Sequence, residues 1–186
     1  MEPLSSRREF LAQLGGMWMA AYLPLMLSTG ERARAAAAKG APFTTLTPGE
    51  ARTLEAVAAQ ILPSDELPGA REAGMAYFAD AALATFFADQ LPGLRTGLAE
   101  LDRQAQATGA ADFAALDDPG QQALVKQLEP TPLFQGIWLL TVMGTFAEPS
   151  YGGNRDGAGG RLLGIARAPS YQPPFGYYDA HAEAGE

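Results

Sequence analysis

The stretch TPGEARTLEAVAAQI, residues 47–61, carries the clearest structural signal in this chain. Its first four residues match a capping box, in which Thr47 and Glu50 satisfy each other's backbone N–H groups and Pro48 takes the first helical position. Pro63 ends the pattern. The apolar residues between these limits recur at helical spacing on one face: Leu54, Val57, Ala58 and Ile61. The stretch therefore predicts an amphipathic helix with one buried face.

Apolar stripes separated by Pro and Gly continue as far as Pro149. They predict a second helix over about 69–88 and a third that follows 92–93 and ends at about 108. A fourth helix is predicted from the cap at 118–121 to 128, and a fifth begins at 131–132. The predicted core stripes are Met75, Phe78, Ala79, Ala82, Leu83 and Phe86; Leu94, Leu98, Leu101 and Ala105; and Leu133, Phe134, Ile137, Trp138, Thr141, Val142 and Phe146.

No segment alternates apolar and polar residues for long enough to predict a strand. The predicted fold class is therefore all-α, with an irregular bundle of about five helices over residues 47–149. Residues 36–46 are predicted to be a linker, and residues 150–186 an extended tail rich in Gly, Pro and aromatic residues.

The N-terminus matches an export address. Residues 6–11, Ser-Arg-Arg-Glu-Phe-Leu, fit the twin-arginine pattern, whose defining side chains here are Arg7, Arg8, Phe10 and Leu11. An uncharged stretch follows, and small residues within 33–37 offer two A-x-A cleavage sites. The alternative is a membrane anchor, but glycine and polar residues dilute a stretch that is barely long enough to span a bilayer. Residues 1–35 are therefore predicted to be a removable signal that exports the folded chain to the periplasm.

The sequence lacks the cysteines and the several histidines on which many redox and metal centres are built. It contains no cysteine, which excludes covalently attached c-type haem, Cys-ligated iron–sulfur clusters and thiol nucleophiles, and its one histidine is His181, near the C-terminus. Carboxylate pairs at 65–66 and 117–118 fall at helix ends, where capping explains them. The net charge of −8 disfavours nucleic-acid binding. No catalytic, cofactor-binding or metal-ligating residue is predicted.

Residues 151–178 have a different composition from the helical region. Glycines dominate at first, and a segment rich in proline and aromatic residues follows. The glycines do not form a G-x-G-x-x-G loop after a strand, which argues against dinucleotide binding. Either the segment folds back and plugs the bundle, or it is an extended tail that docks in a partner's groove. The second interpretation is preferred, with these predicted interface residues: Tyr151, Gly152, Gly153, Asn154, Tyr171, Phe175, Tyr177 and Tyr178.

Taken in order along the chain, these motifs resemble the gluconate 2-dehydrogenase subunit 3 family. After the twin-arginine signal come Leu-Thr-x-x-Glu at 46–50, Ile-Leu-Pro-Ser-Asp at 61–65, Pro-Gly-Ala-x-Glu-Ala-Gly at 68–74, Tyr-Phe-Ala-Asp at 77–80, and Pro-Ser-Tyr-Gly-Gly-Asn-Arg-Asp-Gly at 149–157. The last is the most specific. One departure is that the family usually has a Trp soon after Tyr-Gly-Gly-Asn, where this chain has Gly159-Gly160.

The resemblance implies a heteromeric dehydrogenase complex in which this chain is the small, non-catalytic subunit. The large subunit would be a flavoprotein of the glucose-methanol-choline type, which holds FAD and oxidises a sugar, polyol or aldonic acid. Electrons would pass to a c-type cytochrome subunit that carries haem c. The small subunit would supply the export signal and stabilise the flavoprotein, and it would meet the inner membrane only through the complex, at its periplasmic face.

Two other functions are compatible with the residues. The chain could be a stand-alone periplasmic enzyme, against which the missing cysteines and the single terminal histidine argue. It could also be a free-standing periplasmic binding protein with no flavoprotein partner.

Overall fold

A computed structural model describes residues 24–25 and 27–165, without the side chain of Tyr151. Within these residues all regular secondary structure is helical, which confirms the all-α prediction. Residues 24–25 and 27–39 are helical, and residues 27–39 are called helix α1 here. The other helices, apart from short 3-10 turns, are α2 (Pro48–Ile61), α3 (Met75–Leu83), α4 (Leu91–Ala107), α5 (Asp118–Leu128), α6 (Pro132–Phe146) and α7 (Ala158–Leu162).

The helix starts are set by side-chain caps. At α2 the predicted capping box is present, because Thr47 Oγ1 accepts from the Glu50 amide at 3.2 Å and Glu50 Oε2 accepts from the Thr47 amide at 2.8 Å. At α6 the Thr131 hydroxyl alone caps the helix, by accepting from the Phe134 amide at 3.2 Å. At α5 the cap lies one residue earlier than predicted, since Asp117 rather than Asp118 accepts from the Gly120 amide at 3.0 Å.

The core forms where α2, α3, α4 and α6 meet. Its largest fully buried side chains include Leu54, Met75, Phe78, Leu98, Phe113 and Ile137. Two glycines allow helices to approach closely. A Cβ added at Gly144 of α6 would lie 2.9 Å from the Met75 Cα of α3, and one added at Gly97 of α4 would overlap the Leu133 side chain.

Helix α3 is shorter than the predicted 69–88. It begins only at Met75, because Gly74 adopts a left-handed conformation with φ of 75°. Residues 69–74 turn instead and are held to the end of α2, where the Ala70 amide donates to the Leu62 carbonyl at 3.1 Å. The prediction of Trp138 as a core residue is also wrong, since its exposed fraction is 46%.

The predicted linker over 36–46 is partly wrong. Residues 36–39 belong to α1, and only residues 41–46 are irregular. Those residues are nevertheless fixed to the bundle by Asp80 of α3, whose side chain is 7% exposed. The carboxylate Oδ2 accepts from the Thr44 amide and hydroxyl at 3.0 and 2.9 Å. Its Oδ1 accepts from the amides of Thr45 and Leu46, both at 2.8 Å.

The predicted extended tail is wrong over residues 152–165, which fold back on the bundle and include α7. The preferred interpretation failed here because glycines that leave the backbone free also let it pack tightly. The Pro/aromatic segment from residue 168 and the export residues Arg7, Arg8, Phe10 and Leu11 lie outside the described residues.

The Asp80 contacts give a stability prediction. Asp80→Asn should lower the free energy of unfolding by about 3 kcal/mol, because an amide replaces one carboxylate oxygen and leaves buried N–H donors without an acceptor. Urea unfolding of the full chain measures the difference. Asp89→Asn is the control, since it makes the same charge change at an exposed position. Equal unfolding midpoints for the two variants would show that the Asp80 contacts do not stabilise the fold.

Candidate interaction surfaces

Two polar side chains, Asp102 and Gln121, connect separate parts of the described fold. Asp102 Oδ1 accepts from the Thr53 hydroxyl at 2.8 Å and from the Phe113 amide at 3.0 Å. Gln121 donates to carbonyls of the turn before α5 and accepts from Gln60 at 2.9 Å. Within residues 24–25 and 27–165, no three His, Cys, Asp or Glu side chains come together as a metal site. The hydrogen bonds of Asp102 and Gln121 give these two side chains structural roles.

Residues 152–157, called here the return loop, carry the Gly-Gly-Asn-Arg-Asp-Gly part of the most specific motif. Gly153 lies directly on α6, and a Cβ there would overlap the Gly144 carbonyl. The Asn154 amide donates to that same carbonyl at 2.6 Å. Asn154 Nδ2 donates to the Ala147 carbonyl at 3.0 Å, and its Oδ1 accepts from the Gly159 amide at 2.8 Å. One side chain therefore joins the end of α6 to the start of α7.

Arg155 ties the return loop to the turns before α3. Its amide donates to the Ala73 carbonyl at 2.9 Å, and its Nε donates to the Glu72 carbonyl at 3.1 Å. Its charge also acts on Glu55 of α2. Burial raises the pKa of the Glu55 carboxyl, and the nearby charges of Arg71 and Arg155 partly oppose that rise. The motif is thus a joint between distant parts of the chain.

The return loop accounts for three of the predicted interface residues. Gly152, Gly153 and Asn154 are buried inside this chain, so they are not an exposed contact surface. The remaining predicted contacts, Tyr171, Phe175, Tyr177, Tyr178 and the Tyr151 side chain, lie outside the described residues, and docking by them stays a prediction.

An exposed apolar surface lies on α6, a helix that is apolar on nearly every side. One side of the helix is buried through Ile137, Leu140 and Thr141. The opposite side, called here the α6 face, presents Trp138 at 46% exposure and Leu139 at 37%. A helix that is apolar all round is normally buried, and large exposed aromatic side chains are typical binding anchors. The α6 face therefore has the character of a protein-binding surface.

An apolar groove borders the α6 face. It has a volume of about 310 Å³ between the start of α4 and the start of α6. Its lining is mostly apolar: Leu83, Gln90, Gly93, Leu94, Pro132, Leu133, Gly136 and Leu140. Leu139 follows Gly136 by three helical positions, so Leu139 lies on the side of α6 that borders the groove. Sequence reasoning missed this surface because it assigned Trp138 to the core stripe of α6 and did not consider Leu139.

A second cleft, of about 710 Å³, lies beside the return loop and α7. Phe146, Gly160 and Ile165 are among its lining residues, and Leu163 and Ile165 are 59% and 54% exposed. The described chain ends beside this cleft. None of the helices described is both long and apolar enough to cross a membrane.

The contribution of the Asn154 side chain to stability can be separated from the strain of its positive φ. Asn154→Ala should lower the free energy of unfolding by about 2 kcal/mol, because the Gly159 amide and the Ala147 carbonyl lose their partner. Asp156→Ala is the matched control, since Asp156 also has a positive φ, 55° against 48°, but its side chain is exposed. If both alanine variants lose the same stability in thermal unfolding, strain alone explains the residue.

The family model described as Gluconate 2-dehydrogenase subunit 3 matches residues 48–160, which is more than half of the chain. No match to a curated protein or to a solved structure was found. The matched region runs from the first residue of α2 through the return loop into α7, so it includes the helices that build the core and the loop that joins them. The chain belongs to the gluconate 2-dehydrogenase subunit 3 family.

Proposed function

We propose that this chain is the non-catalytic small subunit of a periplasmic, FAD-dependent dehydrogenase complex that oxidises a sugar, a polyol or an aldonic acid. The chain escorts the flavoprotein large subunit through the twin-arginine pathway and stabilises it. Membership in a family named for a dehydrogenase subunit is the observation that carries this proposal.

The distribution of polar groups supports a role without catalysis. The side chains of Asp80, Asp102 and Gln121 form hydrogen bonds with the backbone and side chains of this same chain. In the proposed complex, FAD belongs to a large subunit of the glucose-methanol-choline type and haem c to a cytochrome subunit. The small subunit would contribute binding surface and the export address.

The properties of the α6 face favour tight binding of a partner. Trp138 and Leu139 would be buried by a large subunit, and the neighbouring groove would accept one of its apolar side chains. The segment 168–186 offers a second contact, because its prolines reduce the entropy that an extended chain loses on docking. The proposed interface therefore combines a rigid helix face with a C-terminal arm.

The export role is tested with Arg7→Lys and Arg8→Lys together. Both changes keep the positive charge but alter the twin-arginine pattern, so the small subunit and its flavoprotein should stay in the cytoplasm. Cell fractionation followed by dye-linked dehydrogenase assay of the periplasm measures the effect. Unchanged periplasmic activity in the double variant would refute the escort role.

The contact surface is tested with Trp138→Ala. Loss of a buried aromatic anchor costs about 2 kcal/mol, so the affinity for the large subunit should fall about 30-fold while the helical bundle melts as before. Leu67→Ala is the control, because Leu67 is similarly exposed at 43% but lies between α2 and α3. Co-purification with the large subunit measures the affinity. Deletion of residues 168–186 in the same assay measures how much this segment contributes to binding. Equal retention of the large subunit by the Trp138 and Leu67 variants would exclude the α6 face.

A further inference from the structure

Helix α1 is part of the folded body, although it overlaps the small-residue sites at which removal of an export signal was predicted. Thr29 is 1% exposed, and its hydroxyl donates to the Thr85 hydroxyl at 3.2 Å. That hydroxyl in turn donates to the Ala81 carbonyl at 2.8 Å. A buried hydroxyl with a partner 56 residues away is a tertiary contact and is not typical of a segment that is discarded.

The return loop is shaped to receive α1. Ala33 is 2% exposed, and a Cβ added at Gly152 would lie 2.5 Å from the Ala33 Cβ and 2.8 Å from the Gly30 carbonyl oxygen. Gly152 also has a φ of 95°, which favours glycine. The missing side chain at Gly152 thus makes room for a helix that itself carries small residues at the contact.

Helix α1 has its own C-terminal cap and leads into a fixed segment. The Ala41 amide donates to the Ala36 carbonyl and the Gly40 amide to the Ala37 carbonyl, with φ of 57° at Gly40, which is a Schellman motif. Past the cap, the Tyr77 hydroxyl donates to the Ala41 carbonyl at 3.2 Å. The helix therefore ends at a defined position, and its C-terminal end is attached to α3.

Both Ala-x-Ala trios, at 33–35 and 35–37, lie within this helix. Proteolysis concentrates at exposed, extended segments, so the helix would have to undock and unwind before either site could be cut. Cleavage there would also remove Thr29, Gly30 and Ala33 from their contacts. We infer that residues 27–39 belong to the mature protein, and that any removal of the export signal occurs before residue 27. This inference rests on the export proposed above, because the position of signal removal matters only if the chain is exported.

The N-terminus of the chain purified from the periplasm tests the inference directly. Intact mass and N-terminal sequencing should find a chain that begins at residue 27 or earlier. A chain that begins at residue 36 or 38 would overturn the inference while leaving the escort function intact.

A pair of substitutions tests the docking of α1 without depending on export. In the full chain, Ala33→Leu should lower Tm by about 5 °C, because the larger side chain cannot fit against Gly152. Ala35→Leu on the same helix is exposed and should leave Tm unchanged. Equal Tm values for the two variants would show that α1 does not dock and would overturn the inference. If no chain reaches the periplasm, the export proposal fails, and this pair still decides whether α1 belongs to the fold.

Discussion

A single buried carboxylate, Asp80 of α3, sets the arrangement of the N-terminal half. Four donors from residues 44–46 converge on it, and such a charge is stable away from water only when its oxygens are fully hydrogen-bonded. Arg95 of α4 adds to the same segment by donating to the Thr45 carbonyl at 2.7 Å and pairing with Glu50 at 3.0 Å. The path between α1 and α2 is therefore fixed against α3 and α4, and this fixes where α1 can lie.

Glycine provides the complementary constraint in the C-terminal half. Gly144 lets α6 approach α3, Gly153 lets the return loop lie on α6, and Gly159 sits against the Thr145 carbonyl. At each position a methyl group would need space that the neighbouring backbone occupies. The glycine-rich motif therefore encodes close approach of backbone segments, and its Asn and Arg supply the hydrogen bonds that hold them there.

The features that could be predicted from the sequence are those with a local cause. The capping box at Thr47 and the apolar stripe of α2 follow from neighbouring residues, and both are present. The start of α3, by contrast, depends on contacts between 69–74 and the end of α2, and the folding back of the return loop depends on a carbonyl of α6. Trp138 shows a further limit, because periodicity identifies apolar residues on a helix without saying whether this chain or another one covers them.

The same two constraints explain why this chain has a specific motif pattern. Asp80 and Asn154, the polar residues of its motifs, hold separate parts of this chain together. One side of α6 lies in the core, and among the described residues the other side is exposed at Trp138 and Leu139. A partner on that side would bury Trp138 and Leu139 without rearranging the bundle. The reason is that α6 already packs on α3, and its C-terminal end is bound by the return loop. A rigid apolar surface of this kind loses little entropy on association, which suits the binding role proposed above for this subunit.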